Sequence, residues 1–276
     1  MNKLFNFNEA DSYIHNLSGL SKLLAFLALT FTVMLTYDPR VIGIILVFSI
    51  FVFKLSGIKL KQLKVLFIYI SIFFFFNFVL TYLFAPTYGV ELYGTKHILF
   101  TITPRYIVTQ EQLFYQLTKL AKYAATIPFG ILFILTTHPS EFAASLNKIG
   151  VSYKVCYVLS LTLRYLPDIQ SEYMIISKSQ QARGLDLSKK TKLLYRVREY
   201  IKMILPLVFS TLDRVDNIAN AMDLRGFSKH KKRTWYNSRK LSKNDIFAIT
   251  ISVSIFLTSL GISTFINQSR FWNPFI

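Results

Sequence analysis

The sequence contains few of the residues that build disulfide scaffolds, metal centres and catalytic sites. Among its 276 residues there are one cysteine, four histidines and 14 acidic residues. A single cysteine, Cys156, excludes a disulfide framework and a cysteine-rich zinc site, and the scattered histidines give a metal site no support. No Walker A loop, nucleophile elbow or HExxH motif occurs. We therefore expect no catalytic residues, no cofactor and no ATP hydrolysis by this chain itself.

Charged residues are scarce as well, whereas apolar residues are abundant. Charged residues make up 17% of the chain and apolar residues 53%, against about 25% and roughly 45–50% in ordinary soluble proteins. The apolar residues lie in long runs, as a membrane-crossing helix of about 20 residues requires. Five such runs occupy residues 20–37, 41–53, 65–85, 111–137 and 246–265. The sequence thus predicts an all-α integral membrane protein with about five transmembrane helices, and a short hairpin within 90–108.

Basic residues are distributed unevenly between the loops, and they account for the net charge of +18. The loop 54–64 holds four lysines and the region 138–243 holds 20 basic residues, whereas the loops 38–40 and 86–110 hold one and two. Cytoplasmic loops carry the excess of Lys and Arg. We therefore expect a multi-pass protein of the cell membrane whose N-terminus is cytoplasmic and whose C-terminus lies outside. The same rule explains the basic run 229–233 better than nucleic-acid binding does, so we expect no nucleic acid as a partner.

This topology divides the chain into three parts. Residues 1–137 form a membrane domain with the first four spans, residues 138–244 a cytoplasmic layer of long amphipathic helices, and residues 245–276 the final span and an outer tail. The helical period is clearest in a set of apolar residues that we name the coupling stripe: Val208, Leu212, Val215, Ala219 and Met222. Their spacing places them on one face of a helix whose other face is polar.

Two segments of the cytoplasmic region end in the same pattern, Ala182-Arg183-Gly184 and Leu224-Arg225-Gly226, which we name the docking motifs. Each follows a Leu-Pro pair, at 166–167 and 205–206, so we predict two helices that open at the prolines and close at the glycines. Either motif alone is equally well explained as an ordinary helix end. Their repetition at a distance of 42 residues favours two equivalent acidic receptors, because arginine binds carboxylates through two parallel hydrogen bonds.

The docking motifs, together with Leu-Arg-Tyr-Leu-Pro at 163–167, resemble the transmembrane T component of energy-coupling factor (ECF) transporters. The segments 15–17 and 137–146 are similar to that family as well. The resemblance implies a scaffold in the lipid bilayer that joins two ABC-type ATPases to one membrane-embedded substrate-binding protein, the S component, for uptake of a vitamin or metal ion. It assigns the docking motifs to the ATPases, and the coupling stripe to a surface that faces the S component or the membrane.

Two other classes of protein stay open at this point. A complete permease subunit would bind substrate and move it through its own pore, and Asn77 and Thr81 in the third apolar run are its best support. An integral membrane enzyme would need a catalytic set, for which the sequence offers no candidate.

Overall fold

The computed structural model describes residues 12–58, 63–101, 103, 106–184, 193–227, 229, 234–235, 239–267 and 269–275. The helices are α1 (Gly19–Leu35), α2 (Pro39–Leu55), α3 (Lys64–Phe84), α4 (Tyr88–Tyr93), α5 (Gln110–Thr136), α6 (Pro139–Ile149), α7 (Tyr153–Ala182), α8 (Leu193–Leu224) and α9 (Lys243–Gly261). A π-helical segment, Ile262–Ile266, continues α9. Much of the lysine loop and of the basic run 229–233 lies outside the described residues. The prediction of an all-α membrane protein is confirmed.

The contacts divide the chain into two compact units. The first contains residues 1–138 and 239–276, and the second contains residues 139–238. We call them the membrane unit and the helical-layer unit. Between α4 and α5, the predicted hairpin is present as strands β1 (Ile98–Thr101) and β2 (Ile107–Thr109), which pair antiparallel. The short helix α4 ahead of the hairpin was not predicted.

The membrane unit is built on α1, α2, α5 and α9. Helix α1 packs against α9, α5 and α2, and α2 also packs against α5. Three described helical segments are long and apolar enough to cross a membrane: Lys64–Phe84, Gln110–Thr136 and Lys243–Ile266. Helices α1 and α2 have 17 residues each, about 26 Å of helix. No residue of α3 is buried, which fits a helix that faces lipid.

Contacts at the two ends of the membrane unit fix the directions of its helices. At one end, the Lys22 ammonium donates to the Thr136 carbonyl at 2.7 Å, which joins the start of α1 to the end of α5. At the other end, the Asn267 amide donates to Asp38 at 2.9 Å, which joins the residues after α9 to the turn before α2. Helix α1 therefore runs antiparallel to α2 and α5, whereas α2 and α5 point in the same direction. Asn267 lies at the opposite end of the unit from Ser18.

A buried carboxylate joins α1 to α9 at the Lys22 end. Asp245 accepts hydrogen bonds from the backbone N–H of Ser18, the Ser21 hydroxyl and the Ser242 backbone N–H, each at 2.7 Å. Its residue is 2% exposed. It also completes a capping box with Ser242 at the start of α9. The Asp245 side chain therefore caps the first turn of α9 and also fixes α9 against α1.

We expect Asp245→Ala to destabilise the membrane unit by about 3 kcal/mol, because it leaves buried donors on α1 without a partner. Thermal unfolding of the purified full-length protein in detergent measures the loss. Ile246→Ala is the matched control, since Ile246 is 56% exposed in the same helical turn. Equal melting temperatures for the two variants would contradict the role given to Asp245.

Candidate functional site

The docking motifs and the coupling stripe lie in the helical-layer unit, where α7 packs against α6 and α8. The predicted starts of the two long helices are wrong. Helix α7 begins at Tyr153 and α8 at Leu193, so Pro167 and Pro206 lie inside them. An internal proline removes one backbone hydrogen bond and costs about 3 kcal/mol. Packing of the upstream turns offsets that cost, because Cys156 before the first proline and Met203 before the second are fully buried.

Cys156 is a packing residue in the helical-layer unit. It lies in the first turn of α7 and is fully buried. Burial raises the pKa of the Cys156 thiol, so the side chain stays protonated and apolar. This agrees with the small apolar role that a lone cysteine has most often.

The predicted helix ends are confirmed at both docking motifs. Gly184 has φ of 89° and Gly226 has φ of 66°, the left-handed conformation that glycine adopts without steric cost. The Gly226 N–H donates to the Asp223 carbonyl at 2.9 Å, and the Phe227 N–H donates to the Met222 carbonyl at 3.0 Å. These two bonds form a Schellman motif. The Gly184 N–H makes the equivalent bond to the Gln181 carbonyl at 3.0 Å, and Leu185 lies outside the described residues.

The side chains of the docking motifs are exposed to solvent. Arg183 and Arg225 are both exposed, and Leu224 keeps 91% of its surface accessible. Within the described part of the chain, neither arginine forms an ion pair. Each long helix thus ends in a guanidinium with donors available to a partner.

Helices α7 and α8 run antiparallel. Near the start of α7, the ring of Tyr157 lies 4.6 Å from that of Phe227, just beyond the end of α8. Farther along α7, the Glu172 carboxylate accepts from the Arg214 guanidinium at 2.8 Å, and from the Ser210 hydroxyl. We name the Glu172–Arg214 contact the crossing pair. Because the helices point in opposite directions, Arg183 and Arg225 lie on opposite sides of it.

The crossing pair occupies equivalent positions in the two helices. Glu172 and Arg214 are 42 residues apart, the same distance that separates Arg183 from Arg225. Each arginine of a docking motif therefore follows its member of the pair by 11 residues, about 16 Å along the helix. Our sequence prediction missed this pair. The signal that identifies it is the shared spacing, which places an acid and a base at matching positions of the repeat.

The coupling stripe forms one face of α8, as predicted, but that face does not pack α8 onto α7. The crossing pair uses the opposite side of the helix, which carries Ser210 and Arg214. Val208 is 44% exposed and Leu212 and Val215 are each 53% exposed; Ala219 is exposed and Met222 half-buried. A large exposed apolar surface marks a site that another protein or a membrane covers.

Residues 10–236 match the CbiQ family, which is described as a cobalt transport protein. The chain belongs to this family. It is 29% identical to the energy-coupling factor transporter transmembrane protein EcfT of Streptococcus thermophilus, a match that covers 94% of this chain and 96% of the relative. It is 26% identical to the EcfT of Lactococcus lactis, covering 91% and 94%. The resemblance to the T component of ECF transporters is thereby confirmed.

A segment similar to this chain also occurs within a larger protein. The chain is 24% identical to a Bifidobacterium longum protein named as an ABC transporter ATP-binding protein. That match covers 89% of this chain but 31% of the relative.

The residues that best supported a complete permease have structural partners in the membrane unit. The Thr81 hydroxyl donates to the Asn77 carbonyl at 2.7 Å and accepts from the Lys119 ammonium at 2.8 Å. This contact ties α3 to α5. The Thr81 hydroxyl is therefore explained by helix packing.

Proposed function

We propose that this chain is the non-catalytic scaffold of an ECF-type importer in the cell membrane. It couples ATP hydrolysis by two ABC-type ATPase subunits to reorientation of one S component, which takes up a vitamin or metal ion. One observation carries the proposal: two long helices end in exposed Arg-Gly tips on opposite sides of a single crossing pair.

The docking motifs suit two ATPase subunits that lie side by side. Each tip offers one guanidinium, which binds a carboxylate through two parallel hydrogen bonds. The glycine after each arginine ends the helix. No further helical turn therefore follows the arginine. Ala182 and Leu224 precede the arginines and give each tip an apolar side. Opposed tips let each ATPase bind one arginine.

The Bifidobacterium longum relative supports ATPases as the partners. It is named as an ATP-binding protein of an ABC transporter, and a segment similar to this chain makes up 31% of its length. Joining a T-like segment and an ATP-binding protein in one chain is reasonable when the two act together.

The coupling stripe is the proposed contact with the S component. Its residues share the helix that carries Arg225, so a movement of that tip is transmitted along α8 to the stripe. The orientation follows the distribution of basic residues, with the N-terminus in the cytoplasm and the C-terminus outside. This puts the docking motifs on the side where ATP is available.

Co-purification tests the proposal. The tagged chain, extracted in mild detergent, should carry two ATPase subunits and one S component. In Leu212→Asp/Val215→Asp the S component should fall at least about tenfold, because each buried aliphatic side chain stabilises a contact by about 1.5–3 kcal/mol. The ATPases should remain bound.

The matched control is Asn220→Asp, which adds a negative charge at an exposed position on the same helix. It should leave all partners bound. Transport of substrate by the chain alone in proteoliposomes would contradict the proposed function. Retention of the S component by the double variant would instead contradict only the role of the stripe.

A further inference from the structure

The four central helices of the membrane unit close on one another at one end and separate at the other. Towards the Asn267 end, Val33, Ile42 and Ala125 are fully buried in one core, and Ile255 and Ile262 of α9 pack against it. Towards the Lys22 end the same helices leave a cleft of about 460 Å³. Its walls include Ala25, Phe26, Val52, Phe133, Ala248 and Ile251. A lining this apolar is suited to a hydrocarbon ligand.

The depth of the cleft matches one leaflet of a bilayer. On α1 it extends from Ser21 to Leu29, a rise of eight residue steps or about 12 Å of helix. Tyr13, Ile14 and Leu17, which precede α1, also line it. Half of a hydrocarbon core of roughly 30 Å is about 15 Å. The cleft thus begins at the level of a lipid headgroup and ends near the bilayer midplane.

An extended hydrocarbon chain is the occupant that the membrane itself supplies at every position around the protein. The apolar lining of the cleft accepts such a chain.

Most of the polar lining groups lie at the end of the cleft where a headgroup would lie; Ser252, farther along α9, donates its hydroxyl to the Ala248 carbonyl at 2.7 Å. Ser21, Lys22, Thr136 and Asn244 all line that end. Three exposed lysines lie next to lining residues in the chain: Lys54 precedes Leu55 in the last turn of α2, and Lys240 and Lys243 come shortly before Asn244. Asp245 nearby is buried and hydrogen-bonded to α1. Among the described residues next to the opening, the exposed charge is therefore positive.

We propose that this cleft binds one acyl chain of an anionic phospholipid, whose phosphate lies against Lys54, Lys240 and Lys243. The surrounding lipid is as apolar as the cleft, so burial of the chain alone does not select this ligand. Selection comes from the headgroup, because basic residues that adjoin a pocket between membrane helices attract anionic lipid. The lipid fills the space where the four helices separate.

Photo-crosslinking in vesicles tests the site. The full chain, together with any partners that purify with it, is reconstituted in phosphatidylcholine containing a small fraction of a lipid with a diazirine in its acyl chain. One probe has a glycerol headgroup and a net negative charge, and the other has a choline headgroup. After illumination, mass spectrometry of peptides should place adducts on Phe26, Phe133 and Ile251, with the anionic probe labelling about tenfold more.

Two variants fill the cleft from two different helices, α1 and α9. Ala25→Trp and Ala248→Trp should each reduce these adducts at least about fivefold, since an indole occupies a large part of the volume. Using both keeps the test valid if one variant fails to fold, which size-exclusion chromatography reports. Ile44→Trp is the matched control, because Ile44 is 70% exposed on α2 and does not line the cleft.

The headgroup is tested by Lys54→Ser/Lys240→Ser/Lys243→Ser, which should abolish the preference for the anionic probe. Equal labelling by both probes in the unmodified chain would overturn the proposal. So would adducts that persist in both tryptophan variants. The assay requires no ATP and measures no transport, so its outcome is independent of the proposed coupling function.

Discussion

Replacing both Arg183 and Arg225 with alanine is expected to abolish ATP-dependent uptake, while the protein still inserts into the membrane. Each arginine is exposed at the end of a long helix, and docking in an acidic groove of an ATPase would remove it from water. Removing one member of such a desolvated charge pair costs about 2–5 kcal/mol, partly because the partner carboxylate is left unpaired. Each single substitution should therefore weaken coupling, and the double substitution should separate the ATPases from the membrane subunits.

The two arginines need not contribute equally, because two different ATPase subunits would present different grooves. Lysine should restore function only in part at either position, since it lacks the planar fork of donors. Lys178→Ala is the matched control: Lys178 is an exposed cation on α7, five residues before Arg183. Its loss should leave uptake close to that of the unmodified protein.

The competing explanation predicts a much smaller effect. If the arginines only complement the dipoles of their helices, each replacement costs about 0.3–1 kcal/mol and transport stays near normal. Uptake of labelled substrate by cells, with membrane expression measured by immunoblot, distinguishes the two explanations. Normal uptake by the double variant would mean that the docking motifs are ordinary helix ends.

Local patterns in the sequence predicted the features that depend on local physics. Long apolar runs predicted the helices of the membrane unit, because a chain in lipid must satisfy its backbone hydrogen bonds within each segment. Gly184 and Gly226 marked the ends of α7 and α8 correctly, since the left-handed conformation after a helix selects glycine almost regardless of context. The coupling stripe was predicted for the same reason, from a period of 3.6 residues.

The features that were missed depend on contacts between distant residues. Asp245 binds Ser18 across 227 positions, and no pattern in either segment indicates the other. The prolines misled the prediction of helix starts, because a proline favours the first turn but is tolerated inside a helix when packing holds the turns before it. Burial of Cys156 and Met203 provides that packing and is visible only in three dimensions. The sequence repeat indicated the docking motifs, whereas the crossing pair between them was identified only from the structure.

Reversing one charge of the crossing pair is expected to disable coupling, and reversing both is expected to restore it. Arg214→Glu places a second carboxylate beside Glu172, and Glu172→Arg places a second guanidinium beside Arg214. The side chains of Glu172 and Arg214 are 22% and 37% exposed, so the pair lies between a surface pair and a buried one. We expect each single reversal to destabilise the α7–α8 contact by about 1–3 kcal/mol, and to reduce uptake roughly tenfold.

The physical reason is the position of the pair midway between the two tips. Each docking motif lies about 16 Å along its helix from the pair, so a small change in the angle between the helices is amplified at Arg183 and Arg225. Two ATPases that close together can move a scaffold only if its two tips are held in a fixed relation. The double variant Glu172→Arg/Arg214→Glu restores an ion pair at the same place, and should recover uptake to within about threefold.

A spectroscopic distance measurement separates this role from a general loss of folding. Spin labels at positions 178 and 220, introduced as cysteines in a Cys156→Ala background, report the distance between the two helices near their tips. The distance distribution should be narrow in the unmodified pair, broad in each single reversal and narrow again in the double reversal. Arg198→Glu, which makes the same charge change at an exposed position of α8, should leave it narrow. If the double reversal stayed broad, or regained a narrow distribution without regaining uptake, the crossing pair would not be the contact through which the two tips act together.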